Sequence, residues 1–216
     1  MKKNVCLLAL TVITSLAMGS FTTSLAQSGH HPFPPPPVPS GLEPPVGQKL
    51  FFAGHAVGTQ NYVCRPSGTG FAFGLFTPQA TLFDDDFTQL TTHFFSPNPQ
   101  EVNTDPTTVG DRAIRATWQD SRDSSAVWAK VEDPTKNSST DPHFVAPGAV
   151  AWLLLTVVGG QTGPTGGDRL ANTTFVQRLN THGGVAPSTG CASPTDVGKQ
   201  AFVPYTADYF FYQKAE

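Results

Sequence analysis

The chain has 216 residues, with 13 Lys and Arg against 16 Asp and Glu, for a formal net charge of −3 at pH 7. Charged residues make up 13% of it, well below the usual share, while glycine and proline number 20 each, a balance that suits short strands joined by many turns. A mildly acidic chain without a basic cluster has no electrostatic footprint for nucleic acid or an anionic membrane surface, so neither is an expected partner.

Met1-Lys2-Lys3 forms a positive start, Val5 to Ala17 an apolar run, and Ser24-Leu25-Ala26 a small-residue cleavage site. Together they predict a signal peptide over residues 1–26 and a secreted product, periplasmic or extracellular. The apolar run is shorter than the roughly 20 residues a spanning helix needs, so no membrane span is expected after signal removal. Cys6 lies far from the cleavage point and does not mark a lipoprotein. Processing would leave 11 basic and 16 acidic residues, a net charge of −5.

Residues 27–47 are dominated by proline: Pro32, Pro34 to Pro37, Pro39, Pro44 and Pro45. Such a stretch lacks backbone donors and favours polyproline II, which predicts a stiff, solvated, extended arm acting as a spacer.

From residue 48 to 216 the apolar pattern is that of strands. Gln48 to Ala53, Thr59 to Arg65, Gly70 to Thr77 and Gln89 to Phe95 are short runs bounded by Gly, Pro or Asp. Ile114, Ala116 and Trp118 alternate with polar residues, as do Val127, Ala129 and Val131, and Asp120 to Ser125 forms the polar turn of a hairpin between them. Val150 to Val158 is apolar on both faces and predicts a central strand. Thr173 to Asn180 sets Phe175, Gln177 and Leu179 on one face and Val176, Arg178 and Asn180 on the other. Tyr205 to Tyr212 suits a final strand. No amphipathic helix longer than about ten residues is evident. Cys64 and Cys191 are most simply a disulfide in an oxidising compartment, worth about 4–5 kcal/mol on the chain-entropy argument. The rival is one reactive and one structural thiol. The expected fold is therefore all-β: one antiparallel β-sandwich or partly closed β-barrel of roughly ten short strands.

Several blocks resemble a known family of secreted bacterial and fungal proteins, domain of unknown function family 3455. They are Gln60-Asn61-Tyr62-Val63-Cys64, Phe76 to Leu82, His93, Trp118 to Val127, and the stretch from Trp152 to Tyr212 with its Gly183-Gly184 and Cys191. The resemblance spans nearly all of residues 48–216 and implies location and architecture; the family carries no settled activity. Two departures stand out. The family's histidine is closely followed by Gly-Pro and Trp, whereas about twenty residues separate Ser96-Pro97 from Trp118, and the usual Asp-Gly-Ser turn is Asp123-Ser124-Ser125. Some fungal relatives carry a dehydrogenase label. Here Gly68, Gly70 and Gly74 only approach the dinucleotide fingerprint, within an aromatic β run, and no cofactor is expected.

Asp84-Asp85-Asp86 lacks the alternation and distal Glu of a calcium loop and reads as a solvated turn. No histidine pair has HxH or HExxH spacing, so no metal is expected. No nucleophile elbow or P-loop is present, and catalytic residues are not assigned. The candidate ligand-binding surface is Arg178, Asn180, Thr181 and His182 with Tyr205 and Asp208, joined by Gln60 and His93. The alternative is a buried network bracing the Gly183-Gly184 turn, with Arg178 paired to Asp208. Three functions follow as expectations: binding of a small molecule, glycan or envelope component; hydrolysis using His93 or His182 with Asp120 or Asp208; or a structural, stress-related envelope role.

Overall fold

A computed structural model describes residues 32–105 and 110–216. The expected signal peptide and the start of the arm lie outside the described residues. The period-two pattern becomes nine strands, all paired antiparallel: β1 (Gln48–Ser67), β2 (Gly70–Phe83), β3 (Gln89–Val102), β4 (Arg112–Asp120), β5 (Ala126–Lys130), β6 (Ser138–Ser139), β7 (Trp152–Gln161), β8 (Phe175–Gly183) and β9 (Gln200–Lys214). Their order is β5-β4-β3-β2-β1-β9-β8-β7, and β5 pairs with β7 to close the ring. Of the two architectures expected, the barrel is the one formed, with eight strands and full closure. The two-residue β6 is a ninth strand on β7.

Some strands are longer than the sequence suggested. Gln48 to Ala53 and Thr59 to Arg65 are one strand, because Gly54 and Gly58 permit close pairing instead of breaking it. A Cβ on Gly58 would strike the Gln79 carbonyl oxygen on β2. β2 likewise runs through Pro78, just beyond the point where its ladder with β3 stops at Ala80↔His93. A proline fits there because no β3 acceptor needs its missing N–H.

Inward residues fill the lower barrel. Phe52, Leu82, Leu90, Trp118, Val127, Leu155, Val176, Tyr209 and Phe211 form the main buried cluster. Leu170 caps it from the β7–β8 connection, held by its amide's bond to Ser125 Oγ at 3.0 Å. Asp120 and Asp123 serve this floor. Asp120 accepts from the Arg122 amide at 2.8 Å and pairs with Arg169 at 3.3 Å, while Asp123 accepts from the Arg169 amide at 2.9 Å.

A second cluster lies outside the wall, where Phe210, Tyr212, Leu179, Ala53, Leu154 and Trp152 meet Leu42 and Val145, with Phe33 and Val38 against them. Over its described part the proline-rich arm thus rests partly against this cluster, while Pro34, Pro37, Ser40, Glu43 and Val46 stay exposed. Leu42 is fully buried, its carbonyl accepts from Gln177 Nε2 at 2.6 Å, and the Gly41 carbonyl accepts from Asn137 Nδ2 at 3.0 Å. Proline content reports stiffness, whereas the interspersed Phe33, Val38 and Leu42 make these packing contacts. Cys64 and Cys191 are bonded, tying upper β1 to the β8–β9 connection near a short 3₁₀ turn at Pro194–Asp196.

Candidate functional site

Above the packed floor the barrel is hollow. A cavity of about 290 Å³ is lined by Gln60 of β1, His93 and Phe95 of β3, Arg115 and Trp118 of β4, Lys130 of β5, Arg178 of β8 and Tyr209 of β9, with aliphatic side chains between them. At its mouth stand Leu75 and Ile114, 37% and 38% exposed. The volume lies near the lower end of the range for small-molecule sites.

Strand register places the polar groups. His93 and Trp118 are direct partners in the β3–β4 ladder, and their rings stack with centroids 4.3 Å apart and planes 6° from parallel. His93 Nδ1 lies 2.9 Å from the Thr117 carbonyl oxygen. That contact requires a proton on Nδ1, which leaves Nε2 of the neutral ring as an acceptor. Burial pushes the His93 pKa down to about 3; the bond to Thr117 opposes this and the charge of Arg178 adds to it.

Arg178 faces Tyr209 across the β8–β9 ladder. Its Nε and Nη2 donate to the Ala151 carbonyl at 3.1 and 2.9 Å. Among the described residues no carboxylate pairs with it, whereas Arg115, Lys130 and Arg169 are paired with Glu101, Glu132 and Asp120. The phenols around Arg178 are neutral donors: burial raises the pKa of Tyr62, Tyr205 and Tyr209, and the nearby guanidinium only partly offsets it. Tyr205 and Tyr209 bring their hydroxyl oxygens to 3.4 Å, and Tyr62 donates to the Gly184 carbonyl at 2.5 Å. Two buried donors, Gln60 Nε2 and Trp118 Nε1, make no hydrogen bond of normal geometry, the Gln60 amide lying near the Tyr205 hydroxyl.

The eight candidate residues therefore divide. Gln60, His93 and Arg178 line the cavity, and Tyr205 lies buried behind Tyr209. The other four do not join them. Asn180 has a left-handed φ of 50°, and the β8–β9 register shifts between Leu179 and His182. This bulge turns Asn180 outward, breaking the alternation that put it on the face of Arg178. Asn180 Nδ2 instead donates to Asp208 Oδ2 at 2.7 Å on the outer wall. Asp208 also meets His55 Nδ1 at 2.6 Å, and His55 Nε2 lies 3.0 Å from Asp85. The expected Arg178–Asp208 pair is thus absent, because the two project to opposite faces of the barrel wall. His182 is exposed in the same outer depression, and Thr181 donates to the Val150 carbonyl at 2.6 Å. The bracing of the Gly183-Gly184 turn falls to Tyr62 and Thr181. His93 bonds a backbone carbonyl instead of Asp120, whose carboxylate is committed to the floor.

Sequence reasoning passed over Tyr209 and placed Trp118 only in the alternating apolar set of a half-buried strand. The alternation of Tyr205, Ala207, Tyr209 and Phe211 marked Tyr209 as inward. Nothing local could show that the hollow would open beside it.

These features define a closed, disulfide-linked β-barrel with a packed floor and a hollow, aromatic-lined upper half. The chain belongs to the family described as Protein of unknown function (DUF3455), whose model matches residues 45–213. No curated protein and no solved structure matches the chain. Among the described residues no helix is long and apolar enough to cross a membrane, and no cluster of three or more His, Cys, Asp or Glu is placed to hold a metal ion.

Proposed function

We propose that this domain is an exported small-molecule-binding barrel that takes its ligand into the cavity beneath Leu75 and Ile114. The supporting observation is the pair of buried donors, Gln60 Nε2 and Trp118 Nε1, that line or border the hollow without a hydrogen bond of normal geometry. An unsatisfied buried donor costs about 1–3 kcal/mol, a cost that a ligand supplying acceptors there would remove. The disulfide and the signal-like N-terminus support export. A catalytic role for His93 has less support, because a ring with a pKa near 3 is a weak base at neutral pH.

Thermal-shift screening of the oxidised protein against small amphipathic compounds tests the proposal. A ligand at about 100 times its Kd should add about 2.7 kcal/mol. Ala116→Phe, which fills the hollow from β4, should abolish the shift while leaving a cooperative melt. A shift that survives Ala116→Phe would place the ligand elsewhere.

A further inference from the structure

Resting on that reading, we infer that the ligand is an amphipathic monocarboxylate, its head group held by Arg178 with the Trp118 and Gln60 N–H groups and its apolar body directed toward the mouth. Arg178 lines a cavity whose two other cations, Arg115 and Lys130, are already paired with Glu101 and Glu132, whereas no carboxylate of the described residues pairs with Arg178. A partly buried guanidinium without a counter-ion is poised for an anion brought from outside. Its bonds to the Ala151 carbonyl fix the orientation of the fork without neutralising it.

The unpartnered atoms point to the same head group. Gln60 Nε2 and Trp118 Nε1 are both donors, and their residues are 1% and 0% exposed. The group they await is therefore an acceptor, and a carboxylate offers two oxygens with several lone pairs. Apart from the ion-paired Arg115 and Lys130, the remaining lining is apolar, with Leu75, Phe95, Ile114, Val131, Leu153 and Leu155 prominent. That composition fits a hydrocarbon or aromatic body, and about 290 Å³ fits a short one.

The test compares octanoate with octan-1-ol at neutral pH by calorimetry on the oxidised protein. The alcohol is the more hydrophobic of the two, so partitioning alone favours it. Octanoate is expected to bind at least about 10-fold tighter, the effect of one charge-assisted hydrogen bond. Arg178→Met should erase that preference while retaining octanol binding. Trp118→Phe, which keeps an aromatic ring and removes the N–H, should weaken octanoate alone and provides a second variant if Arg178→Met does not fold. Equal affinity for the two compounds in the wild type, or a preference that survives Arg178→Met, would overturn the head-group inference and leave the binding cavity standing. Failure of both compounds to bind would remove the cavity reading and the inference together.

Discussion

His93 and Trp118 lie face to face across the β3–β4 ladder, their rings 4.3 Å apart and within 6° of parallel. Tyr209 meets the edge of the indole, with centroids 5.5 Å apart. The stack separates two halves of one interior, the packed floor of Phe52, Leu82 and Phe211 below and the hollow above. It also fixes the ionisation of His93, because a ring enclosed this way loses solvation on protonation.

Acid should destabilise the protein through His93. Its pKa is about 3 in the fold against an ordinary 6.5, so below 6.5 the unfolded chain binds the extra proton. The stability is complete above pH 6.5 and falls as pH drops toward 3, by up to about 1.4 kcal/mol per pH unit. Melting curves from pH 4 to 7 should show a shallower acid slope for His93→Gln than for the wild type. Equal slopes would mean that His93 protonates readily in place.

His55 should act in the opposite direction. Burial lowers its pKa, but the carboxylates of Asp208 and Asp85 outweigh that and leave it raised. A raised folded pKa gives stability that is complete below 6.5 and lost as pH rises through the folded value. The Phe33 ring of the arm stacks on His55 at 4.3 Å, so the protonated ring also gains a cation–π contact. The gap in Tm between the wild type and His55→Gln should narrow from pH 6 to pH 8. A gap constant across that range would show that neither carboxylate holds the proton.

The arm should behave as part of the fold. Leu42 is fully buried against Phe210, Leu179 and Trp152, and Leu42→Ala should cost about 2–4 kcal/mol in urea unfolding. A change below about 0.5 kcal/mol, typical of a surface site, would return the arm to the status of a spacer.

These positions show what a sequence reading can reach. The alternation of Ile114, Ala116 and Trp118 against Val127, Ala129 and Val131 foretold the β4–β5 hairpin, because period two is a local property of a half-buried strand. The Cys64–Cys191 bond followed from compartment and count. Closure did not, since the β5–β7 pairing joins segments separated by a long connection and leaves no local mark. Gly54 and Gly58 read as breaks because the close approach they allow involves β2, which only the fold brings near. The grouping of the candidates followed the strands' alternation: Gln60, His93 and Arg178 share one cavity wall, while the bulge at Asn180 and the outward turn of Asp208 set the rest apart.

The most direct measurement follows the three indole N–H signals by NMR while octanoate is added. Trp118 lines the cavity with an unpartnered Nε1, Trp128 Nε1 donates to Ser96 Oγ at 2.8 Å, and Trp152 Nε1 is unpartnered in the outer cluster. Occupation of the cavity should move the Trp118 signal downfield to saturation and leave Trp152 in place, although both begin without an acceptor. A stationary Trp118 signal at saturating octanoate, or equal movement of all three, would contradict a carboxylate site inside the barrel.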